Sequence, residues 1–276
     1  MRAAPGESTP YFLGHSPAEL DRLQSQARFI DPVTRNFFRE AGLLAGMHVL
    51  DVGSGAGDVA FLAAELVGES GRVVGVDRSA TALDLARRRA AGKSLRQVSF
   101  RAGDPAEMDF EQPFDAVVGR YVLQFQNDPA AMLRKLATRL RPGGLIVFHE
   151  IDWSGPRSYP PVPTFDRCAQ WGEETLRRHG TETRMGMKLY AAFVAAGLPP
   201  PQMRMQSVIA GGRGALELLQ RMADLMTTFL PEMERLGVAR DVDLGSDTLV
   251  ERMLEEANAG PCVLIGLAQV AAWCRV

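Results

Sequence analysis

Short apolar runs alternate with stretches of helical periodicity from residue 48 onward. The apolar runs are rich in Val, Ile, Leu and Phe and do not alternate strictly with polar residues, which is typical of strands covered on both faces. Repeated strand–helix units of this kind predict right-handed crossovers and an α/β fold with a doubly wound parallel sheet. The predicted strands cover 48–52, 72–77, 97–102, 114–119 and 144–151, and the predicted helices between them cover 57–67, 79–91 and 129–140.

Two more helices are predicted before the first strand. Ser16 and Glu19 form a capping box around Pro17, which favours the start of a helix at that point. The dipeptide Asp31–Pro32 predicts the start of a second helix, which Gly42 ends.

The pattern changes after residue 151, where a segment rich in proline and aromatic residues follows the fifth strand. Beyond it, Met222, Met226, Phe229 and Met233 recur at helical spacing. They form either an adaptable apolar wall for a ligand or ordinary core, and the core interpretation is favoured. The remaining predicted elements are helices over about 165–179 and 186–196, a strand over 203–210, a helical block over 214–258 and a final strand over 262–274.

A glycine-rich turn follows the first predicted strand. The apolar run ends in Asp51, and glycine then occupies every second position, at Gly53, Gly55 and Gly57, before a helix begins. Glycine allows positive φ angles and lets a ligand approach the main chain closely. The dinucleotide fingerprint G-x-G-x-x-G needs its third glycine one residue later, where this chain has Asp58. The spacing therefore predicts a nucleotide-binding turn of a different kind.

Further polar residues follow the next strands. Asp77 ends the second strand, where a carboxylate can accept hydrogen bonds from both hydroxyls of a ribose. Asp104 comes just after the third strand, and Gly119 ends the fourth. Because ligands of doubly wound sheets bind at the carboxyl ends of the strands, we expect these residues to lie near the glycine turn.

The D-x-G-x-G-x-G turn resembles the first motif of the class I S-adenosylmethionine-dependent methyltransferases. The resemblance covers residues 45–152 and implies a Rossmann-like sheet of seven strands whose last strand is antiparallel. It also implies helical lid elements at the N-terminus and between the last strands. The corresponding division of the chain is an N-terminal lid over 1–44, a cofactor-binding core over 45–152, and the rest of the sheet over 153–276 with cap insertions at about 153–184 and 214–258.

The resemblance implies S-adenosylmethionine as cofactor and S-adenosylhomocysteine as product. Asp104 would accept a hydrogen bond from the adenine amino group, and the carbonyls of residues 119–121 would receive the methionine ammonium. The residues implied in cofactor binding are Asp51, Gly53, Ser54, Gly55, Gly57, Asp77, Arg78, Gly103, Asp104, Pro105, Gly119, Arg120 and Tyr121.

The segment after the fourth strand narrows the branch of the family. It contains neither the Asn-Pro-Pro-Tyr motif of enzymes that methylate base amines nor a cysteine that could attack cytosine. Arg120 stands where catechol-type enzymes have a metal-binding carboxylate, so no metal is expected. What remains is similar to the small-molecule branch, which includes enzymes of quinone and natural-product biosynthesis.

Methyl transfer by in-line displacement depends mainly on orientation and on exclusion of water, and a base helps where the acceptor must lose a proton. Asp152, at the open end of the fifth strand, is the first candidate for this base, and Glu150 lies on the same face. Tyr11 and His15 are further candidates in the predicted N-terminal lid. His149 is interpreted as a core histidine or a base, with the core favoured.

Composition limits the alternatives. A net charge of −2 argues against a nucleic-acid partner, and no apolar run reaches membrane-spanning length, so we expect a cytoplasmic protein with a small-molecule acceptor. Cys168, Cys262 and Cys274 are too scattered for a disulfide framework or a zinc site. A homodimer is left open. So are an S-adenosylmethionine-binding enzyme that does not methylate, such as a cyclase, a nicotinamide dehydrogenase and an inactive binding protein on the same fold.

Overall fold

A computed structural model of the chain describes the backbone of residues 17–276, and the side chains from residue 29 onward except that of Arg213. The helices are α1 (Pro17–Ala41), α2 (Asp58–Val67), α3 (Ala80–Gly92), α4 (Pro129–Ala137), α5 (Pro163–His179), α6 (Met185–Ala195), α7 (Ala215–Leu236), α8 (Asp241–Leu244) and α9 (Leu249–Asn258). The strands are β1 (His48–Val52), β2 (Arg72–Asp77), β3 (Val98–Ala102), β4 (Phe114–Arg120), β5 (Leu140–Asp152), β6 (Arg157–Tyr159), β7 (Gln202–Gln206), β8 (Ile209–Gly211), β9 (Val263–Ile265) and β10 (Ala268–Arg275).

Seven strands form one sheet in the order β3-β2-β1-β4-β5-β10-β7. Neighbouring strands from β3 to β5 pair in parallel, and the last strand is antiparallel. The strand order reverses between β1 and β4, which makes their carboxyl ends the switch point where ligands of such sheets bind. The predicted α/β fold with a seven-stranded sheet is confirmed.

The described residues divide into two compact units. The sheet unit contains residues 17–150, 186–204 and 270–276, and the helix-rich unit contains residues 151–185 and 205–269. None of the helices among residues 17–276 is long and apolar enough to cross a membrane.

The core of the sheet unit lies where α1 and α2 pack against one face of the sheet. Phe37 and Phe38 of α1 and Phe61 of α2 are almost completely buried there, together with Val49 of β1 and Val118 of β4. Burial of each such side chain contributes about 1.5–3 kcal/mol. This core holds the glycine turn between β1 and α2 on a rigid base.

The N-terminal region differs from the prediction of two helices, because α1 is a single helix with Pro32 inside it. A proline inside a helix removes one backbone hydrogen bond and costs about 3 kcal/mol. Three apolar residues that follow it on the inner face, Val33, Phe37 and Phe38, are buried to 4% exposure or less. Their burial outweighs the proline, so Asp31 does not begin a new helix.

The C-terminal strands also differ from the prediction, since each predicted strand is divided between two sheets. The segment predicted as 203–210 forms β7 of the large sheet and β8 of a small antiparallel sheet with the order β6-β9-β8. The segment predicted as 262–274 likewise forms β9 and β10. Between β7 and β8 the chain bends at Ser207, whose hydroxyl donates a hydrogen bond to the carbonyl of Gly266 at 2.8 Å.

Helices α5, α7 and α9 enclose the core of the helix-rich unit. Trp153 stacks on Phe229 with ring centroids 6.1 Å apart, and a Cβ on Gly172 would lie 2.4 Å from the Trp153 ring. Glycine at position 172 therefore allows α5 to approach the indole closely. Met222, Met226, Phe229 and Met233 are all buried, which confirms their interpretation as core.

Candidate functional site

The glycine turn after β1 needs its glycines for two different reasons. Gly53, Gly55 and Gly57 all have positive φ angles, of 66°, 51° and 92°. A Cβ at Gly53 would lie 2.9 Å from Val122, and one at Gly57 would lie 2.8 Å from Phe61. At Gly55, in contrast, no described atom lies within 4 Å of that position. The turn thus has an open space over Gly55 that a side chain would fill.

Asp51 lies at the start of this turn with a carboxyl group that has no hydrogen-bond partner. The residue is 1% exposed, and neither oxygen meets hydrogen-bond geometry with any described residue, although the amide of Ala60 is near enough to favour the charged form slightly. Burial raises the pKa of Asp51 well above its ordinary value, and the positive charge of Arg120 opposes that rise. An unsatisfied buried carboxyl group is costly, so this one fits a ligand that brings a cation or a hydrogen-bond donor. The buried hydroxyl of Ser54 is also without a partner among the described residues.

Asp77 joins the glycine turn to the next helix. Its Oδ2 accepts a hydrogen bond from the amide of Gly55 at 2.8 Å, and its Oδ1 accepts one from the amide of Ser79 at 2.8 Å. Each carboxylate oxygen can accept a second hydrogen bond. The two backbone contacts therefore orient Asp77 and leave it able to receive the two hydroxyls of a ribose.

Asp104 is held at the end of β3, next to Asp77. Its Oδ1 accepts a hydrogen bond from the amide of Ala106 at 2.9 Å, and its Oδ2 accepts one from the guanidinium of Arg78. The amide of Gly103 donates to the carbonyl of Asp77 at 3.0 Å. Pro105 is buried beside them. Residues 103–105 and 77–78 thus form one connected rim at the ends of β2 and β3.

The end of β4 has an unusual backbone. A Cβ on Gly119 would lie 2.5 Å from the ring of Phe148, so this ring occupies the space that a side chain at position 119 would need. Tyr121 has a φ of 58°, which is rare for a residue with a side chain, and its amide donates to the carbonyl of His149 at 2.9 Å. Such strained positions concentrate at functional sites.

Arg120 extends from the same segment toward α1. Its Nη1 donates to Oδ1 of Asp31 at 2.8 Å and to Oγ1 of Thr34 at 3.0 Å. Sequence reasoning missed both partners, because Asp31 was interpreted as a helix start and Thr34 has no distinctive sequence context. The contact could have been suggested by Arg120 at a strand end together with Asp31 and Thr34, an acid and a hydroxyl on one turn of a predicted helix.

Glu150 lies inside the sheet unit and holds the segment that follows β4. Its Oε1 accepts hydrogen bonds from the amides of Val122 and Leu123 at 2.9 and 2.8 Å, and its Oε2 accepts a weak one from Gln124 at 3.4 Å. Burial raises the pKa of Glu150 to about 7, although these amides favour the charged form. These contacts are those of a positioning residue, and its role as a base stays a prediction.

The structure describes Asp152 and His149 but not the other two candidate bases. Asp152 is 1% exposed, and its Oδ1 accepts hydrogen bonds from the amide and hydroxyl of Ser154. Its Oδ2 is buried without a partner in the part of the chain that the structure describes. His149 is fully buried with its Nδ1 3.1 Å from the hydroxyl of Thr34. Tyr11 and His15 lie outside the described residues.

A family model described as a methyltransferase domain matches residues 43–185, slightly more than half of the chain. A demethylmenaquinone methyltransferase of Lactococcus lactis subsp. lactis (strain IL1403) is 31% identical over 131 residues, which are 47% of this chain and 50% of that protein. The aklanonic acid methyltransferase DauC of Streptomyces sp. (strain C5) is 34% identical over 134 residues, 48% of this chain and 60% of that protein. The match thus spans only about half the length of these curated relatives.

A solved structure of a geranyl diphosphate methyltransferase in complex with SAM is similar over nearly the whole chain. The alignment covers 94% of this chain and 91% of that one, with a TM-score of 0.52 and 16% identity. At this identity the similarity concerns the fold alone.

Proposed function

This chain belongs to the methyltransferase domain family, and from that premise we propose that it is an S-adenosylmethionine-dependent methyltransferase with a small-molecule acceptor. The two curated relatives named above are, by their names, methyltransferases of small molecules, which supports this class of acceptor. The observation that carries the cofactor assignment is the buried, unpartnered carboxyl group of Asp51 beside the open space over Gly55.

The cofactor residues of the proposal lie along the carboxyl ends of four strands. Asp77 receives the ribose hydroxyls, because the amides of Gly55 and Ser79 orient its two oxygens and each oxygen retains a free lone pair. Asp104 and the adjoining Gly103 and Pro105 hold the adenine, and Asp51 faces the ammonium group of the methionine part. The full set is the one implied by the resemblance, with Gly53, Ser54, Gly57, Arg78, Gly119, Arg120 and Tyr121 completing it.

The cofactor supplies an electrophilic methyl group on a sulfonium. The task of the protein is to orient that group toward the acceptor and to keep water out, which can contribute roughly 7–11 kcal/mol to lowering the barrier. Little acid catalysis is needed, since the leaving thioether is neutral. The backbone at residues 119–124, fixed by Glu150, holds the cofactor end of this arrangement.

Asp152 is our proposed base for acceptors that must lose a proton. Its Oδ1 is occupied by Ser154, whereas its buried Oδ2 has no partner among the described residues and can accept a hydrogen bond from an acceptor hydroxyl or amine. Such a base contributes on the order of 10²–10⁴-fold. Tyr11 and His15 are kept as further candidates.

The test is transfer of a labelled methyl group. The purified chain is incubated with methyl-labelled S-adenosylmethionine and a panel of hydroquinones, phenols and amines, and products are analysed by mass spectrometry. We expect label in one acceptor class, and its loss in Asp77→Ala. The matched control is Asp84→Ala, because Asp84 is an exposed residue of α3 that forms an ion pair with Arg87 of the same helix. Turnover of an acceptor without label transfer would contradict the proposal and favour a non-methylating enzyme.

A further inference from the structure

We propose that Arg120 is a positioning residue that makes the docking of α1 part of the cofactor site. Its side chain fastens the middle of α1 to the backbone segment 119–121, so that binding at this segment and docking of the helix stabilise each other. The inference rests on the proposed function, because it takes that segment as part of the S-adenosylmethionine site.

The contact has the geometry of a clamp. One nitrogen of Arg120 bonds both Asp31, at 2.8 Å, and Thr34, at 3.0 Å. These two acceptors are three residues apart on α1 and therefore lie on the same face. The Arg120 side chain is 9% exposed, so its interaction with the carboxylate of Asp31 is screened much less than that of a surface pair.

Thr34 extends the clamp to β5. Its hydroxyl donates to the carbonyl of Ile30 at 3.2 Å, which uses its single proton. The oxygen can then accept both from Arg120 and from Nδ1 of His149, which lies 3.1 Å away. The His149 ring in turn contacts the ring of Tyr121 edge-on at 5.4 Å. Helix α1 is thus connected to the ends of β4 and β5 through buried polar groups.

The charges of the cluster also point to the cofactor. Arg120 faces two carboxyl groups, those of Asp31 and Asp51, and it opposes the rise in pKa that burial causes in each of them. The cluster therefore carries no excess of positive charge that would repel an ammonium group. This suits the ammonium of the cofactor, which enters beside Asp51 in the proposed function.

The coupling predicts a helix that responds to ligand. In the wild-type protein, saturating S-adenosylhomocysteine should slow amide hydrogen exchange in peptides from residues 30–41 as well as in the glycine turn. In Arg120→Gln we expect the dissociation constant for this ligand to rise at least tenfold and the ligand-induced protection of 30–41 to disappear. Thr34→Val, which removes only the hydroxyl, should show a smaller change in the same direction, and Arg120→Lys should recover part of the affinity.

The matched control is Arg35→Gln. Arg35 also belongs to α1 and also forms an ion pair with another element, but its partner is Glu65 of α2. This variant should bind the ligand within twofold of wild type and should keep the ligand-induced protection of 30–41. A role of Arg120 in stability alone would make the two arginine variants behave alike in this respect.

A second readout separates positioning from folding. The carboxyl of Asp51 is faced by Arg120, Asp77 and Asp58, so Arg120→Gln removes the cation among these groups. Ligand affinity in this variant should therefore be lost at a higher pH on acidification than in wild type. The inference is overturned if Arg120→Gln keeps wild-type affinity, pH profile and protection. If Arg120→Gln does not fold, wild-type affinity and protection in Thr34→Val overturn it instead. Failure of the wild-type protein to bind would instead overturn the proposed function.

Discussion

Replacing Glu150 tests whether it positions the backbone or takes part in catalysis, and the resulting change in the free energy of unfolding can be predicted. Its carboxyl group is fully buried, and burial raises its pKa from the ordinary 4.5 to about 7. Between these two values the folded protein holds a proton that the unfolded chain has released. The free energy of unfolding contributed by this group therefore falls as the pH rises from about 4.5 to 7, by about 3 kcal/mol at ~1.36 kcal/mol per pH unit.

The assay is urea unfolding of the wild type and of Glu150→Gln at pH 5 and pH 8. Glutamine stays neutral, and its carbonyl oxygen can keep the two short hydrogen bonds from Val122 and Leu123. Because pH 5 already lies above the ordinary pKa, the variant should gain about 2.5 kcal/mol relative to wild type between pH 5 and pH 8. Glu69→Gln, on an exposed turn, is the control and should follow the wild type at both pH values.

Glu150→Ala removes the acceptor altogether. Two buried amides would then lack a partner, each at a cost of about 1–3 kcal/mol, so this variant should be destabilised by about 2–6 kcal/mol. Methyl transfer should survive in Glu150→Gln, because the backbone stays in place. Parallel pH dependence of wild type and Glu150→Gln would refute the reasoning about burial, and loss of transfer in Glu150→Gln with unchanged cofactor binding would make Glu150 a catalytic residue.

Two further predictions follow from single residues. Gly55→Ala should destabilise the fold by about 1–2 kcal/mol, because Gly55 has a positive φ, and it should weaken S-adenosylhomocysteine binding in calorimetry. The control Gly92→Ala, which places its methyl group in open space on α3, should leave binding unchanged. Equal affinity in both variants would contradict the role of the turn. Burial acts to raise the pKa of Asp115, but hydrogen bonds from the His48 amide and Arg141 outweigh it, so the pKa is lowered. The ionised carboxylate therefore stabilises the folded protein above pH 3.8, the ordinary pKa, and this stabilisation is lost as the pH falls. Asp115→Asn should therefore be less stable than wild type at pH 7 in thermal melts, and the difference should shrink below pH 4; a difference independent of pH would contradict this.

The central strands could be predicted from the sequence because a strand buried on both faces carries its signal in its own residues. The predicted bounds of β1 and β2 agree with the structure, and β4 extends one residue beyond its prediction, to Arg120. The sequence signal of the glycine turn is also local, because each of its three positive φ angles favours a glycine at that position. The candidate cofactor residues could be named for the same reason, because each follows a recognisable strand.

Contacts between distant residues could not be predicted in this way. Pro32 suggested a new helix, but the burial of Phe37 and Phe38 keeps α1 continuous. The pairing of Asp31 with Arg120 joins two segments that only the fold brings together. Glu150 likewise meets backbone amides, and these give no signal in the sequence. The small sheet was missed because a three-residue strand such as β8 has too few residues for a periodic pattern.

Calorimetric titration of S-adenosylhomocysteine into wild type, Asp77→Ala and Asp84→Ala tests the proposed cofactor site most directly. Two hydrogen bonds from ribose hydroxyls to a carboxylate contribute about 1.5–3 kcal/mol each, so Asp77→Ala should weaken binding by at least ~100-fold. Asp84→Ala should bind as the wild type does. No heat of binding with the wild type, or equal affinity in all three proteins, would contradict an adenosyl-binding site at the ends of these strands.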